Sequence, residues 1–376
     1  MTSFDGAANT RAASTFIQAF HGVAAGVPDR EAIRDFEGTA SYTWGQVRER
    51  ADAIAGGLAK LGVGRGETVA LMLSNRPEFN LTDLGVMTTG AAPFSIYQTL
   101  PPEAIEYVVG DAGARVAIIE RAFYESFMKA RQNLDQLEHV IVIDGEGEDG
   151  TLTLAEVEGS NPGFDVEASV AAMQAEDLIT LIYTSGTTGP PKGVQLSHAN
   201  LMASAELFNQ VIQIPDGARV ISWLPTAHIA ERAANYYLPL AFGGTITTLG
   251  NPRNIIQALP QVKPHFFFAV PRIWEKMKAG IETQLEGLPD EQRELAQKAI
   301  AAGVQKVRLE QAGQPVPKEL AEVCARADEE LFSKLRGLLG LEGAASINTG
   351  AAPTPVAVLE FFHAIGLELS EIWGMS

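Results

Sequence analysis

Apolar residues recur along the chain with two periods that take turns. After Thr43, a residue type that caps helix N-termini, Val47, Ala51, Ile54, Leu58 and Leu61 fall on one face of a 3.6-residue repeat, and Gly62 and Gly64 close the segment. The spacing predicts a helix. Residues 68–73 then form a short apolar run of the kind that makes a buried strand. The runs at 116–119, 140–143 and 178–183 repeat it between polar or glycine-rich turns. Between them a proline-initiated segment predicts a helix over 102–109. A second series follows, with candidate strands at 220–224, 245–249, 266–270 and 345–348. A long charged helical region at 273–339, broken at 313–317, separates the last two. Near the start, Phe16, Ile17, Phe20 and Val23 sit at helical spacing and predict an amphipathic helix packed on the body. Strands alternating with helices imply an α/β fold whose mostly parallel sheets are covered on both faces.

At 376 residues the chain exceeds a typical single domain, and it shows no internal repeat or low-complexity tail. The apolar stretch at 12–27 is interrupted by Gln18 and His21 and preceded by Asp5 rather than a basic cluster, so it does not read as a secretory leader. No apolar run reaches membrane-spanning length. The expectation is a cytoplasmic protein, with peripheral membrane contact compatible; its oligomeric state is left open. Composition changes this picture in two ways. Acidic residues outnumber basic ones 46 to 28, a net charge of −18 that disfavours nucleic acid as a partner and obliges any phosphate-bearing ligand to find local amides, a cation or a metal. A single cysteine, Cys324, excludes an internal disulfide and reads as a buried or incidental thiol.

The chemistry concentrates in Tyr183-Thr184-Ser185-Gly186-Thr187-Thr188-Gly189-Pro190-Pro191-Lys192-Gly193-Val194, directly after a predicted strand. Glycines let backbone amides approach phosphate oxygens, hydroxyls add donors, and Lys192 supplies a cation. The same composition suits a surface turn, and composition alone leaves both readings open. The Walker pattern fails at two diagnostic places, because Pro191 precedes the lysine and Gly193 follows it.

At every signature position this stretch resembles the phosphate loop of the adenylate-forming superfamily, which holds acyl-CoA synthetases, luciferases and adenylation domains. Three further segments match in the family's order. Residues 224–232, with their His228-x-x-Glu231-Arg232 ending, resemble the second core motif of the long-chain fatty-acid branch. Gly350-Ala351-Ala352-Pro353 resembles the adenine-binding turn. Glu371-Ile372-Trp373-Gly374-Met375-Ser376 resembles the start of a motif in which a tyrosine stacks on adenine, with Trp373 in its place and Ser376 replacing a threonine near the α-phosphate. Residues 270–276 resemble a segment that precedes a helical insertion in long-chain enzymes.

The resemblance implies activation of a long-chain fatty acid with ATP and Mg2+ to acyl-AMP, followed by transfer to coenzyme A. It implies His228 and Lys192 as the catalytic pair and Thr184 as a contributor to the magnesium site. Nucleotide binding would fall to Thr184, Ser185, Gly186, Thr187, Thr188, Gly189 and Lys192, with Gly350, Ala351, Ala352, Pro353, Trp373, Gly374, Met375 and Ser376. Glu231 and Arg232 either join the site or form a structural ion pair at its edge. The whole of 1–376 would be the family's AMP-binding N-terminal domain, with one α/β subdomain at 66–205, a second from 28–65 with 206–350, and the start of the remaining core at 351–376. No position here matches the family's acidic Mg2+ ligand, its ribose-binding aspartate, most of its barrel or its C-terminal domain. The expectation is therefore incomplete ligase activity, with two alternatives: a nucleotide- and acyl-binding remnant, or a relative of the fatty acyl-AMP ligases.

Overall fold

The computed structural model describes residues 4–148, 150–184 and 189–376, which divide into one unit of residues 1–252 with Ser376 and a second of residues 253–375. In the first unit the strands are β1 (Glu31–Asp35), β2 (Ser41–Thr43), β3 (Thr68–Met72), β4 (Ala92–Ser95), β5 (Val116–Ile119), β6 (His139–Val142), β7 (Leu152–Thr153), β8 (Leu178–Thr184), β9 (Lys192–Ser197), β10 (Arg219–Ser222) and β11 (Thr245–Thr248). They form a seven-stranded sheet in the order β7-β6-β5-β3-β4-β8-β9 and a four-stranded sheet in the order β10-β11-β1-β2. Every pairing is parallel except β8 with β9 and β1 with β2.

Period-two alternation divides each buried strand between two layers. Ala70 and Met72 of β3 join Phe94, Ala117, Ile119, Val140 and Val142 in a core under the helices Pro102–Asp111 and Tyr124–Arg131. The helix Pro77–Thr88 packs against β3 and β4 and against the helix Trp44–Lys60. All of its residues but Glu78 are buried, so it has no extended polar face and no amphipathic signature by which the chain alone could announce it. Its Gly85 lets the two helices close: a Cβ there would lie within 3.0 Å of Ile54. The helix Trp44–Lys60 starts where the sequence predicts, with Thr43 Oγ1 accepting from Gln46 N–H and Gln46 Oε1 accepting from Thr43 N–H at 2.9 Å. The amphipathic segment near the start is the helix Phe16–Gly26, with Phe16, Ile17, Phe20 and Val23 fully buried.

In the second unit β12 (Phe266–Ala269), β13 (Ser346–Gly350) and β14 (Leu369–Ile372) make a parallel sheet of their own. The charged region between β12 and β13 is a series of helices, chiefly Pro271–Glu286, Asp290–Gln311, Lys318–Ala327 and Ser333–Leu339. It breaks near Gly313 as predicted and also at 287–289, where Gly287 and Pro289 stop the first helix and open the second. Among the described residues no helix is long and apolar enough to cross a membrane.

Candidate functional site

The glycine- and hydroxyl-rich stretch is a hairpin connection. Strands β8 and β9 run antiparallel with Thr184 paired to Lys192, so a hydroxyl and an exposed ammonium stand opposite each other at the base of the loop. Gly189 has φ +107°, a conformation that side chains rarely adopt. Ser185, Gly186, Thr187 and Thr188 lie outside the described residues. One rung down, Gly193 faces Tyr183, and a Cβ at 193 would stand 3.1 Å from the ring. The ring has little room to yield, because its hydroxyl donates to Asp111 Oδ2 at 2.8 Å. A strand, not a helix, follows the loop, which separates this geometry from the strand–loop–helix of a Walker site.

His228 lies on the loop that leaves the C-terminal end of β10. Its ring is half-buried, and its Nδ1 accepts the N–H of Ala230 at 3.1 Å. A backbone N–H can only donate, so Nδ1 is unprotonated and the neutral ring carries its proton on Nε2. Burial pushes the imidazole pKa down, which favours this neutral form. The residue therefore offers one oriented N–H donor.

Glu231 and Arg232, adjacent in sequence and both fully buried, do not pair with each other. Glu231 accepts from Leu224 N–H at 3.0 Å, from Asn235 Nδ2 at 2.7 Å and from Asn75 Nδ2 at 3.2 Å. Burial lifts its carboxyl to about 7, against the pull of the Ser222 and Asn235 side chains and the Leu224 N–H. Arg232 instead meets the buried Asp83 at 2.7 Å. The guanidinium also donates to Ser95 Oγ at 2.9 Å and to Tyr237 Oη at 2.7 Å. Burial raises the Asp83 pKa and Arg232 draws it down. Both residues begin a π-helical stretch, Glu231–Tyr237, whose wider turns aim successive side chains at different partners.

In the second unit, register sets two predicted segments side by side. Gly350 ends β13 opposite Ile372 of β14, so the turn at 350–353 adjoins the strand end that leads into Trp373. Ala351 takes φ +67°, and Ala351, Ala352 and Pro353 are exposed. Glu371 Oε1 accepts from Thr354 N–H at 3.0 Å, tying the turn to β14. Trp373 is 83% exposed and Met375 79%, free faces for a planar ligand. Gly374 and Ser376 are exposed as well.

Asn75, Asp83 and Ser95 support these segments and were not singled out from the sequence. Two carried a signal. Asp83 is the one acidic residue in the apolar run 79–88, and a charge there demands a buried partner. Asn75 follows a strand end, the edge at which α/β sheets place their sites. Among the described residues no three His, Cys, Asp or Glu side chains converge to hold a metal ion.

Residues 20–376 match the family model described as AMP-binding enzyme. A Mycobacterium tuberculosis protein carrying the name fatty-acid–CoA ligase fadD11 is 44% identical over 230 residues, covering 60% of this chain and 40% of its own. The long-chain-fatty-acid–CoA ligase ACSBG2 of Xenopus laevis is 30% identical over 348 residues, covering 88% of this chain and 46% of its own. The chain thus spans less than half the length of these two relatives. Among solved structures, the anthranilate CoA ligase AuaEII with anthranoyl-AMP superimposes with a TM-score of 0.71 at 20% identity, over 94% of this chain and 58% of that one. The N-terminal domain of FACL13 from Mycobacterium tuberculosis does so with a TM-score of 0.70 at 20% identity, over 96% and 76%.

Proposed function

The chain belongs to the AMP-binding enzyme family, and from that premise we propose that it takes part in ATP-dependent, AMP-forming activation of a fatty acid. A carboxylate oxygen attacks the α-phosphorus of ATP, the bond to the β-phosphate oxygen breaks, and pyrophosphate leaves. The acyl-AMP then yields its acyl group to the thiol of coenzyme A, releasing AMP. Mg2+ enters with ATP as part of the substrate. The observation that carries this reading is the hairpin, which sets Thr184 opposite Lys192 at the mouth of a loop rich in donors. Such a mouth suits the β- and γ-phosphates.

The Nε2–H of His228 would serve where two anions, carboxylate and α-phosphate, must meet. The exposed Trp373 and the small-residue turn at Gly350 would take the adenine. A long-chain substrate is supported by the names of relatives and by the helices between β12 and β13. Cytoplasmic residence is supported by one buried, unpaired cysteine, Cys324.

The test is pyrophosphate release by the purified chain with ATP, Mg2+ and fatty acids of graded length, beside Lys192→Ala and His228→Ala. Release that requires a long-chain acid and falls in both variants is expected. A folded chain that binds ATP and acyl chain and releases nothing would reduce the reading to binding alone.

A further inference from the structure

The loop from Leu224 to Glu231 is held shut by its own last residue. Glu231 reaches back across it and accepts the N–H of Leu224 at 3.0 Å, while Asn75 donates to the carbonyl of the same residue at 2.9 Å. Both peptide groups of the loop's entry are thereby fixed from buried side chains. Asn75 also donates to Ser222 Oγ at 3.0 Å and to Glu231 Oε1 at 3.2 Å, which locks the two clasping residues to each other and to the end of β10. At the exit, His228 carbonyl oxygen accepts from Glu231 and Arg232 N–H at 3.1 and 3.2 Å. Between the clasped ends stands His228, with Ala230 N–H on its Nδ1.

A buried carboxylate is an expensive way to fill space, because its desolvation is only partly returned by hydrogen bonds. An apolar side chain would fill the volume and take from Leu224 N–H and Asn235 Nδ2 the acceptor that Glu231 gives them. What the carboxylate adds is the short span from Leu224 to Glu231, and with it the path of the intervening backbone. The geometry points to Glu231 as a positioning residue: with Asn75 it clasps the ends of the 224–231 loop, so that Ala230 N–H reaches His228 Nδ1 and the ring presents Nε2–H. Its consequence for catalysis rests on the proposed function above; its consequence for the histidine does not.

The clasp runs through Oε2, which accepts from both Leu224 and Asn235, whereas Oε1 faces Asn75. A glutamine can place its oxygen at Oε2 and turn its amide toward Ser222 Oγ, keeping two of the three bonds. Glu231→Gln is therefore the rescuing variant, Glu231→Ala the breaking one, and Asn75→Ala breaks the clasp from the other side.

The primary readout is the His228 tautomer, read by nitrogen NMR of 15N-histidine-labelled full chain. The chain has six histidines, and the His228→Gln spectrum identifies the signal that disappears. Wild type and Glu231→Gln are expected to show an unprotonated Nδ1 and a protonated Nε2. Glu231→Ala and Asn75→Ala are expected to show a mixture of both tautomers. Pyrophosphate release should fall about 10- to 100-fold in Glu231→Ala, mainly in kcat, and recover most of the loss in Glu231→Gln. If Glu231→Ala does not fold, Asn75→Ala and Glu231→Gln still decide. An unchanged His228 tautomer in every folded breaking variant would overturn the proposal. If the wild-type chain releases no pyrophosphate, the functional reading fails while the tautomer comparison stands.

Discussion

Gly350 and Ile372 face each other at the ends of β13 and β14, so close that a Cβ on Gly350 would lie within 3.0 Å of the Ile372 carbonyl oxygen. The obstacle is backbone, and it cannot rotate aside. Gly350→Ala should therefore push the strand ends apart and displace Trp373, at a cost of about 1–3 kcal/mol. Urea unfolding checks the stability, and quenching of Trp373 by added nucleotide checks the site. Unchanged values of both would contradict the packing described.

Glu231 makes a prediction with a definite sign. Burial lifts its carboxyl to about 7 in the fold against 4.5 for a free glutamate, so the native state keeps a proton that the unfolded chain has already released. That carboxyl therefore lowers native stability as pH rises from about 4.5 through 7, by up to about 3 kcal/mol, and the loss is complete above that range. Glu231→Gln cannot titrate. Its stability relative to wild type should climb over that same interval, measured by urea midpoints at a series of pH values; a flat difference would refute the shift.

His198 acts in the opposite direction. It is buried, its Nδ1 accepts from Phe16 N–H at 3.2 Å, and burial lowers its pKa from 6.5 to about 4. The unfolded chain takes up the proton first. The stability it contributes is present above 6.5 and is lost as pH falls through about 4, again up to about 3 kcal/mol. His21, also buried and lowered to about 4, follows the same course. His198→Gln should flatten part of the acid limb while His21 leaves the remainder. An acid limb identical to wild type would show that His198 is charged in the fold.

Arg232 is the sole ion-pair partner described for the buried Asp83. Removing it alone, as in Arg232→Met, strands a carboxylate in the core and should cost about 3–5 kcal/mol. Removing both charges in Arg232→Met/Asp83→Leu should recover most of that loss. Chemical denaturation of the two single variants and the double variant supplies the cycle. Additive losses would mean that the two charges do not interact.

Local chemistry determined a good deal by itself. Thr43 caps the helix that follows it, and Phe16, Ile17, Phe20 and Val23 share a helix face whatever lies elsewhere. The hydroxyls and glycines after β8 mark a turn-forming connection, and their composition alone leaves an anion cradle and a surface turn both open. Each of these readings needs only a window shorter than one helix.

What only the tertiary structure decided is where buried polar groups find partners. Glu231 and Arg232 are neighbours of opposite charge, and sequence proximity suggests a pair. The fold sends one to Asn75 and the other to Asp83, because a buried charge is stabilised by whatever side chain the packing delivers to it. β1 likewise gains its parallel neighbour β11 from more than 200 residues away, and no periodicity carries that pairing. The helix Pro77–Thr88 carries no such signal for the complementary reason: with all its residues but Glu78 buried, it offers little contrast between faces for a pattern to reveal.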